Sequence, residues 1–298
     1  MSDSVGDTLA GRYPLTVAAF SSMEDGDRAL KAVTNLQQQW VTLNRESQSS
    51  AAISYAGNAS SLPSCPAANR FDVVIAGGGL GLLAGAALAR RGLKVLVFDK
   101  DRVGAAHREW NISQPELESL PHWGIFQREE LEAAVAARYS AGIISFDAAG
   151  TEVPHCPLKL NGVLDVALDA QSVLDLARRR FLEHGGIIKE GLSFERLHIA
   201  RTGEVASVFE VIGPAGREFY RARLAIDMMG SVSPIARTLN EGLPFDGVCP
   251  TAGTVVEGLE GSTDEGDVLV SIAPVSDGRQ LIWEGFPGAN GETTVYLF

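Results

Sequence analysis

Phe71–Lys100 reads FDVVIAGGGLGLLAGAALARRGLKVLVFDK: a strand, a glycine turn, a helix, and a second strand ending in an acid. Val73, Val74 and Ile75 form an apolar run without helical period, as in a parallel strand buried on both faces. Five glycines follow within nine residues, and an alanine-rich helix is expected from about Leu82 to Arg91. Gly92 stops that helix, Leu93 to Phe98 is the second strand, and Asp99 stands at its end. Together these parts make the dinucleotide-binding arrangement.

Two registers fit the glycines. Gly77-x-Gly79 puts Leu82 in the third slot, whereas Ala76-x-Gly78-x-x-Gly81 puts alanine in the first. The second register agrees better with the helix stop at Gly92 and the acid at Asp99. In it, the missing side chain at Gly78 admits a pyrophosphate, and Gly81 and Gly85 let the helix lie close to the strand. The helix amino terminus offers N–H groups and partial positive charge to phosphate. Asp99 would accept hydrogen bonds from the adenosine ribose. The cofactor-binding candidates in this segment are Ala76, Gly77, Gly78, Gly79, Gly81, Asp99 and Lys100.

The 298 residues suffice for one large or two ordinary domains, and the 45% apolar and 21% charged composition is that of a globular chain. No apolar run is long enough to cross a bilayer. A net charge of −12 argues against nucleic acid and anionic membrane surfaces as partners, although solubility is the commoner reason for such a charge; the partner expected is a small-molecule substrate. Cys65, Cys156 and Cys249 are odd in number and widely spaced, which suits a reducing compartment. The five histidines form no ligand pattern, and no metal is expected. Asp27 to Arg45 suits one amphipathic helix with Leu30, Val33, Leu36 and Trp40 on a face. Ser47 to Ala68 reads as a flexible linker, so 1–69 is taken as an extension outside the main fold. Asp3 and Asp7, against Arg12 alone, match a transit peptide poorly; a cytoplasmic location is the default, with a plastid left open.

The glycine motif alone does not separate NAD from FAD; the order of later elements does. No strand–helix repeat follows Asp99. Instead two short helices are expected, one capped at Ser113-Gln-Pro-Glu116 and one from Arg128 to Ala137, and then a strand at Gly142 to Asp147. A helix from Gln171 to His184 ends at Gly185-Gly186. Short strands follow at Ile187–Lys189, Ser193–Ala200, Val205–Ile212 and Glu218–Arg221. A last one, Leu224 to Asp227, runs into Met-Met-Gly230-Ser-Val-Ser233.

In AIDMMGSVSPIAR the chain resembles the glutathione-reductase-type FAD proteins, in the branch of aromatic hydroxylases, geranylgeranyl reductases and lycopene cyclases. Asp227, Gly230, Ser233 and Arg237 match that family's second motif in kind, although two residues separate Asp227 from Gly230. REWNIS (Arg108 to Ser113) and the run from LDVALDAQSVLDLARRRFLEHGG to AIDMMG most resemble lycopene-cyclase-like plant and algal flavoproteins. The resemblance covers about Phe71 to Phe298 and implies an NAD(P)-binding-type Rossmann fold holding FAD, with monooxygenase-like relatives and NAD(P)H as reductant. It adds Asp227, Gly230 and Arg108 to the cofactor-binding candidates, Arg108 as partner of a flavin phosphate or ribose. It also sets Glu284 in a strand over the flavin's substrate side, though a solvent-facing strand residue is the commoner occupant of such a position. No catalytic residue is assigned, and His122, Trp123, His155 and Cys156 receive no role.

The family carries a later Gly-Asp segment after an apolar strand. Gly6-Asp7, Gly26-Asp27 and Gly266-Asp267 do not match it, and the chain stops at TTVYLF, read as an exposed, aggregation-prone strand. The expectation is a carboxy-terminally incomplete flavoprotein that binds FAD weakly or not at all. The expected fold is α/β: a three-layer Rossmann-like FAD domain, parallel sheet plus β-meander, with a mixed-sheet substrate domain. The boundaries expected are 70–120 and 164–237 for the former, 121–163 and 238–298 for the latter. The expected function is an NAD(P)H-linked oxidoreductase acting on a small apolar, aromatic or isoprenoid substrate. A non-redox cyclase-like flavoprotein and a non-catalytic fragment are the alternatives.

Overall fold

The computed structural model describes residues 5–23, 25–45, 52–106, 109–149, 152, 154–203, 205–240, 249, 251–260, 264–271, 273–276, 278 and 280–298. The chain forms two units, Met1–Ser50 with Leu239–Gly247 and Ala51–Thr238 with Val248–Phe298. The first holds α1 (Val5–Arg12), α2 (Pro14–Ser21) and α3 (Gly26–Arg45). Pro14 opens α2 where its missing N–H forfeits no helical bond. α3 matches the helix read from the sequence; Val33 on it is exposed, and the side chains of Leu36 and Trp40 lie outside the described residues.

The second unit begins with strands β1 (Ile53–Asn58), β2 (Arg70–Ala76), β3 (Val95–Phe98), β4 (Trp110–Ile112), β5 (Val135–Arg138) and β6 (Ala141–Ser145). β7 (Leu158–Leu160), β8 (Val166–Leu168), β9 (Ile187–Lys189), β10 (Ser193–Thr202), β11 (Ser207–Gly213) and β12 (Gly216–Asp227) follow. β13 (Ala252–Glu257), β14 (Glu265–Ser271), β15 (Ile282–Pro287) and β16 (Glu292–Leu297) complete the set. The helices are α4 (Leu80–Ala89), α5 (Gln114–Ser119), α6 (Arg128–Ala133), α7 (Ala170–Glu183) and α8 (Pro234–Leu239).

One sheet has the order β1-β10-β11-β12-β2-β3-β9. β12, β2, β3 and β9 run parallel, and β10, β11 and β12 form an antiparallel meander. Alternation along β2 and β3 separates two cores. Val73, Ile75, Val95 and Val97 pack with Leu82 of α4 and Leu174 and Phe181 of α7. Val74, Ala76, Leu96 and Phe98 pack toward the meander, where the Phe98 and Phe209 rings meet edge-on at 5.4 Å. Contact between β3 and β11, which have β12 and β2 between them in the sheet order, shows the meander folded over the parallel strands. The result is the expected three layers of helix, parallel sheet and meander. Each fully buried aliphatic or aromatic side chain here contributes about 1.5–3 kcal/mol.

A second, mixed sheet has the order β13-β16-β15-β14-β6-β7, and a small third one the order β4-β8-β5. The α/β class and the mixed second sheet agree with the sequence reading. Five details differ. β12 is one strand of 12 residues, where two short ones were expected, because it serves both the meander and the parallel sheet. α4 starts at Leu80, two residues early, and α6 ends at Ala133, where the chain turns into β5. β16 is no exposed edge: it pairs with β13 on one side and β15 on the other, and β13 is the edge.

The fifth difference concerns the linker. Residues 46–51 lie outside the described residues, but Ile53–Asn58 is a strand parallel to β10, with Ile53 opposite Leu197. Ile53, Leu62 and Cys65 are buried, and Leu62 packs with Ala206 and Val208. Composition hid this strand because an edge strand of small and polar residues needs few apolar side chains. A chain starting at Arg70 should therefore be less stable than one starting at Ala51, by on the order of 3 kcal/mol for two lost apolar burials. Thermal unfolding of the two truncations checks this, with a Tm difference of roughly 6–12 °C expected. Equal midpoints would show that β1 adds nothing.

Candidate functional site

β2 is forced to turn sharply after Ala76, and Gly77 makes the turn. Its φ is +108°, and a Cβ there would lie 2.2 Å from the Met228 carbonyl oxygen. Both sides are pinned: Gly77 N–H donates to Phe98 O at 2.9 Å, and Met228 N–H donates to Ala76 O at 2.7 Å. Only glycine fits such a position. Gly81 faces Ile75, and Gly85 faces Val97 and Phe181, which lets α4 lie directly on the sheet.

The turn thus falls one residue later than in the Ala76-x-Gly78-x-x-Gly81 register. Ala76 is the last residue of the strand, and Gly77 takes the strained slot. Gly78 does not face open space either, since a Cβ there would lie 2.8 Å from Val103 Cγ2 and 2.9 Å from its Cα. Gly79 is the position with open space. It is exposed, caps the amino terminus of α4, and its Cβ would meet nothing within 4 Å.

Asp99 follows β3 and closes the turn from below. Its Oδ2 accepts from Gly78 N–H at 2.6 Å and its Oδ1 from Asp101 N–H at 2.9 Å. Each oxygen retains a lone pair for a further donor. The chain after Asp99 then folds back, and Gly104 N–H donates to Gly78 O at 3.0 Å. α7 locks this loop: Gln171 bonds Ala106 N–H and Gly104 O, and Arg178 donates to Val103 O at 2.6 Å. Glu190 accepts from Val103 N–H and from Arg178, whose hydrogen bond holds its carboxyl below the usual carboxylate range. Lys100 is exposed beside the turn, and Arg108 lies outside the described residues.

The second motif reaches the same place from β12. Asp227 is the register partner of Ala76, so adjacent strand ends bring it to the glycine turn, about one strand spacing away. Its carboxylate accepts from Met229 N–H at 3.0 Å and from the Ser233 hydroxyl. Ser233 is buried and in turn accepts from Ala236 N–H at 3.1 Å, capping α8. Gly230 has φ +74°, which is the reason for glycine there, since no protein atom would crowd a Cβ.

A cleft of about 460 Å³ lies between β4 and the second sheet. Glu109, Trp110, Asn111, Glu284, Tyr296 and Phe298 are among its walls. Glu109 Oε2 accepts from the Thr294 hydroxyl at 3.3 Å. Burial pushes its carboxyl above the ordinary range; the Thr294 bond opposes this, and Glu292 and Asp169 add to it by charge repulsion. Asn111 lies beside the Tyr139 hydroxyl, which donates to Pro287 O at 2.6 Å, and the buried Asn111 Nδ2 has no partner in hydrogen-bonding geometry. Asp267, whose carboxyl burial also raises, accepts from Trp283 Nε1 at 3.0 Å and is tied into the β14–β15 pair.

The structure therefore brings Ala76, Gly77, Gly78, Gly79, Gly81, Asp99, Asp227 and Gly230 together at the ends of β2, β3 and β12. Glu284 is half-buried in the cleft rather than solvent-facing. Sequence reasoning missed Glu109 and Asn111, which carry no motif; their only signal is a place inside the REWNIS segment. Among the described residues no cluster suits a metal ion, and no helix is long and apolar enough to cross a membrane.

A family model described as DAO, FAD dependent oxidoreductase, matches residues 72–225. Comparison with curated proteins gave no match. Among solved structures, the chain is similar to a flavoprotein/dehydrogenase from Cytophaga hutchinsonii, with 16% identity over 76% of this chain and 55% of that one, TM-score 0.56. It is also similar to a geranylgeranyl bacteriochlorophyll reductase-like protein from Thermoplasma acidophilum, with 18% identity over 77% and 56%, TM-score 0.54. The halogenase PltM in complex with phloroglucinol and FAD shares 19% identity over 76% and 51%, TM-score 0.54. At such identities the likeness is one of fold, and this chain spans about half the length of those proteins.

Proposed function

The chain belongs to the family of FAD-dependent oxidoreductases, and from that premise we propose that it binds FAD at the glycine turn as an NAD(P)H-linked oxidoreductase. The observation that carries this reading is the open Gly79 position at the amino terminus of α4, flanked by Asp99. Free N–H groups and the positive helix end suit a pyrophosphate there, and a bare glycine lets it approach. Asp99 would take the adenosine ribose hydroxyls, and its two backbone bonds hold the carboxylate in place for them. Asp227 and Gly230 flank the turn from β12, and Lys100 and Arg108 are the proposed cationic partners of the phosphates. The division into a cofactor domain, 70–120 with 164–237, and a substrate domain, 121–163 with 238–298, is supported by the first two sheets, except that β1 joins the former and the sheet β4-β8-β5 pairs strands of both.

Bound FAD would supply the electron transfer, while this chain's residues bind, orient and shield. The substrate side is assigned to the cleft under the second sheet, where Trp110, Tyr296 and Phe298 favour a small aromatic, isoprenoid or otherwise apolar body. Glu109 and Glu284 are the groups there able to hold or move a proton. The finer placement, beside lycopene-cyclase-like flavoproteins, rests on the REWNIS and AIDMMG segments. Anaerobic addition of NADPH or NADH to the FAD-loaded protein tests the reductant. Loss of the oxidised flavin absorbance is expected; a loaded protein reduced by neither nucleotide would refute the NAD(P)H assignment.

A further inference from the structure

Met228 and Met229 separate Asp227 from Gly230, and the fold treats them differently. Met229 packs against the core on the meander side of the sheet. Met228 is 40% exposed and lies over the first turn of α4, where a Cβ on Gly81 would come within 3.3 Å of its Cβ and 3.6 Å of its Cγ. Leu80, the residue before Gly81, is 62% exposed, and Gly79 before it is the open position at the helix end. Resting on the FAD reading of this turn, we propose that Met228 is an oxidation-sensitive wall of the cofactor site. Bound FAD covers its thioether, and conversion of the thioether to the sulfoxide by hydrogen peroxide weakens FAD binding.

The main chain fixes where this side chain stands. Met228 N–H donates to Ala76 O at 2.7 Å, and the Met228 carbonyl lies against Gly77. On its other side, Met229 N–H donates to Asp227 Oδ1 at 3.0 Å. The residue is thus tied to the glycine turn while its side chain stays open to solvent. A single exposed methionine needs no explanation. This one stands with Leu80 at the helix end proposed to receive the phosphates, and a ligand there would take both apolar surfaces out of water. A flexible, polarizable thioether adapts readily to a ligand's outline.

Oxidation changes that surface in kind. A sulfur lone pair attacks one oxygen of the peroxide, and an S–O bond forms as the O–O bond breaks. The departing hydroxide collects the proton of the transferred oxygen and leaves as water. Sulfur loses two electrons, and the peroxide gains them. The product is polar, with partial negative charge on its oxygen. Beside a diphosphate that charge repels, and the apolar contact is lost as well.

Peptide mapping after brief peroxide treatment of the full chain, with and without FAD, tests this. Met228 should become the sulfoxide in the FAD-free protein, and FAD should slow that reaction by about tenfold. Met23, 49% exposed in the first unit, should react equally in both samples and serves as the reference. The oxidised protein should bind FAD about tenfold more weakly, equivalent to ~1.4 kcal/mol, and methionine sulfoxide reductase should restore the affinity. Met228→Leu keeps the apolar body and all three cysteines but not the sulfur, so its FAD affinity should not respond to peroxide. Four results would each overturn the inference: no sulfoxide at Met228 in the free protein, an unchanged rate with FAD bound, undiminished FAD affinity after oxidation, or an equal loss in Met228→Leu. Flavin fluorescence titration of the untreated protein separates the two readings. If FAD binds without shielding Met228, only this inference falls. If FAD does not bind at all, the flavin reading falls and takes this one with it.

Discussion

Gly77→Val should cost the protein on the order of 4 kcal/mol of stability, a loss at the exceptional end for one substitution. Two costs add. A β-branched residue at φ +108° is strained by about 1–3 kcal/mol, because its side chain meets its own backbone. The new Cβ would also lie 2.2 Å from Met228 O and 2.4 Å from Met228 C. Those atoms are main chain and cannot swing aside, since Met228 N–H is bonded to Ala76 O at 2.7 Å and Asp227 is in register with Ala76. Forcing them apart adds about 1–3 kcal/mol more. Equilibrium urea unfolding reads the loss as a large drop in midpoint. A drop worth under about 1 kcal/mol would show that Gly77 is not the turn residue.

Gly79→Asp should do the opposite, leaving the fold intact and removing the ligand. The side chain enters open space, and aspartate is as good a helix cap as glycine or better, so stability should change by only a few tenths of a kcal/mol. The new carboxylate, however, stands where the pyrophosphate would meet the end of α4. Displacement and charge repulsion together should weaken FAD binding by about 100-fold or more, some 2.8 kcal/mol. The two variants separate two roles: Gly77 shapes the chain, and Gly79 is the position proposed to admit the cofactor.

How much of this was legible in the sequence follows from the range of the interactions. Val73–Ile75, the helix after Gly79, Gly92 and Asp99 announce themselves within thirty residues, because strand, turn and helix there are set by neighbours in the chain. The register of the glycines was misread because Gly78 is fixed by Val103 and Gly77 by Met228, contacts that spacing cannot reveal. Ile53–Asn58 looked like a linker because its partner is β10, far along the chain. Thr293–Phe298 looked like an exposed end for the same reason: β13 and β15 flank it only after the sheet assembles. Asp227 became a candidate through the family resemblance of AIDMMGSVSPIAR, whose strand ending in an acid before glycine is a local pattern. Glu109 and Tyr296 were not singled out, because their meeting across one cleft is purely tertiary.

The central claim is that FAD is held at the glycine turn through its adenosine diphosphate half. Titration of FAD into the wild-type protein and into Gly79→Asp, followed by flavin fluorescence with ADP as competitor, bears on it most directly. The account predicts that the wild type binds FAD, that ADP displaces it, and that Gly79→Asp, with an unchanged thermal midpoint, binds about 100-fold more weakly. FAD binding by Gly79→Asp as tight as by the wild type, or FAD that ADP does not displace, would contradict it.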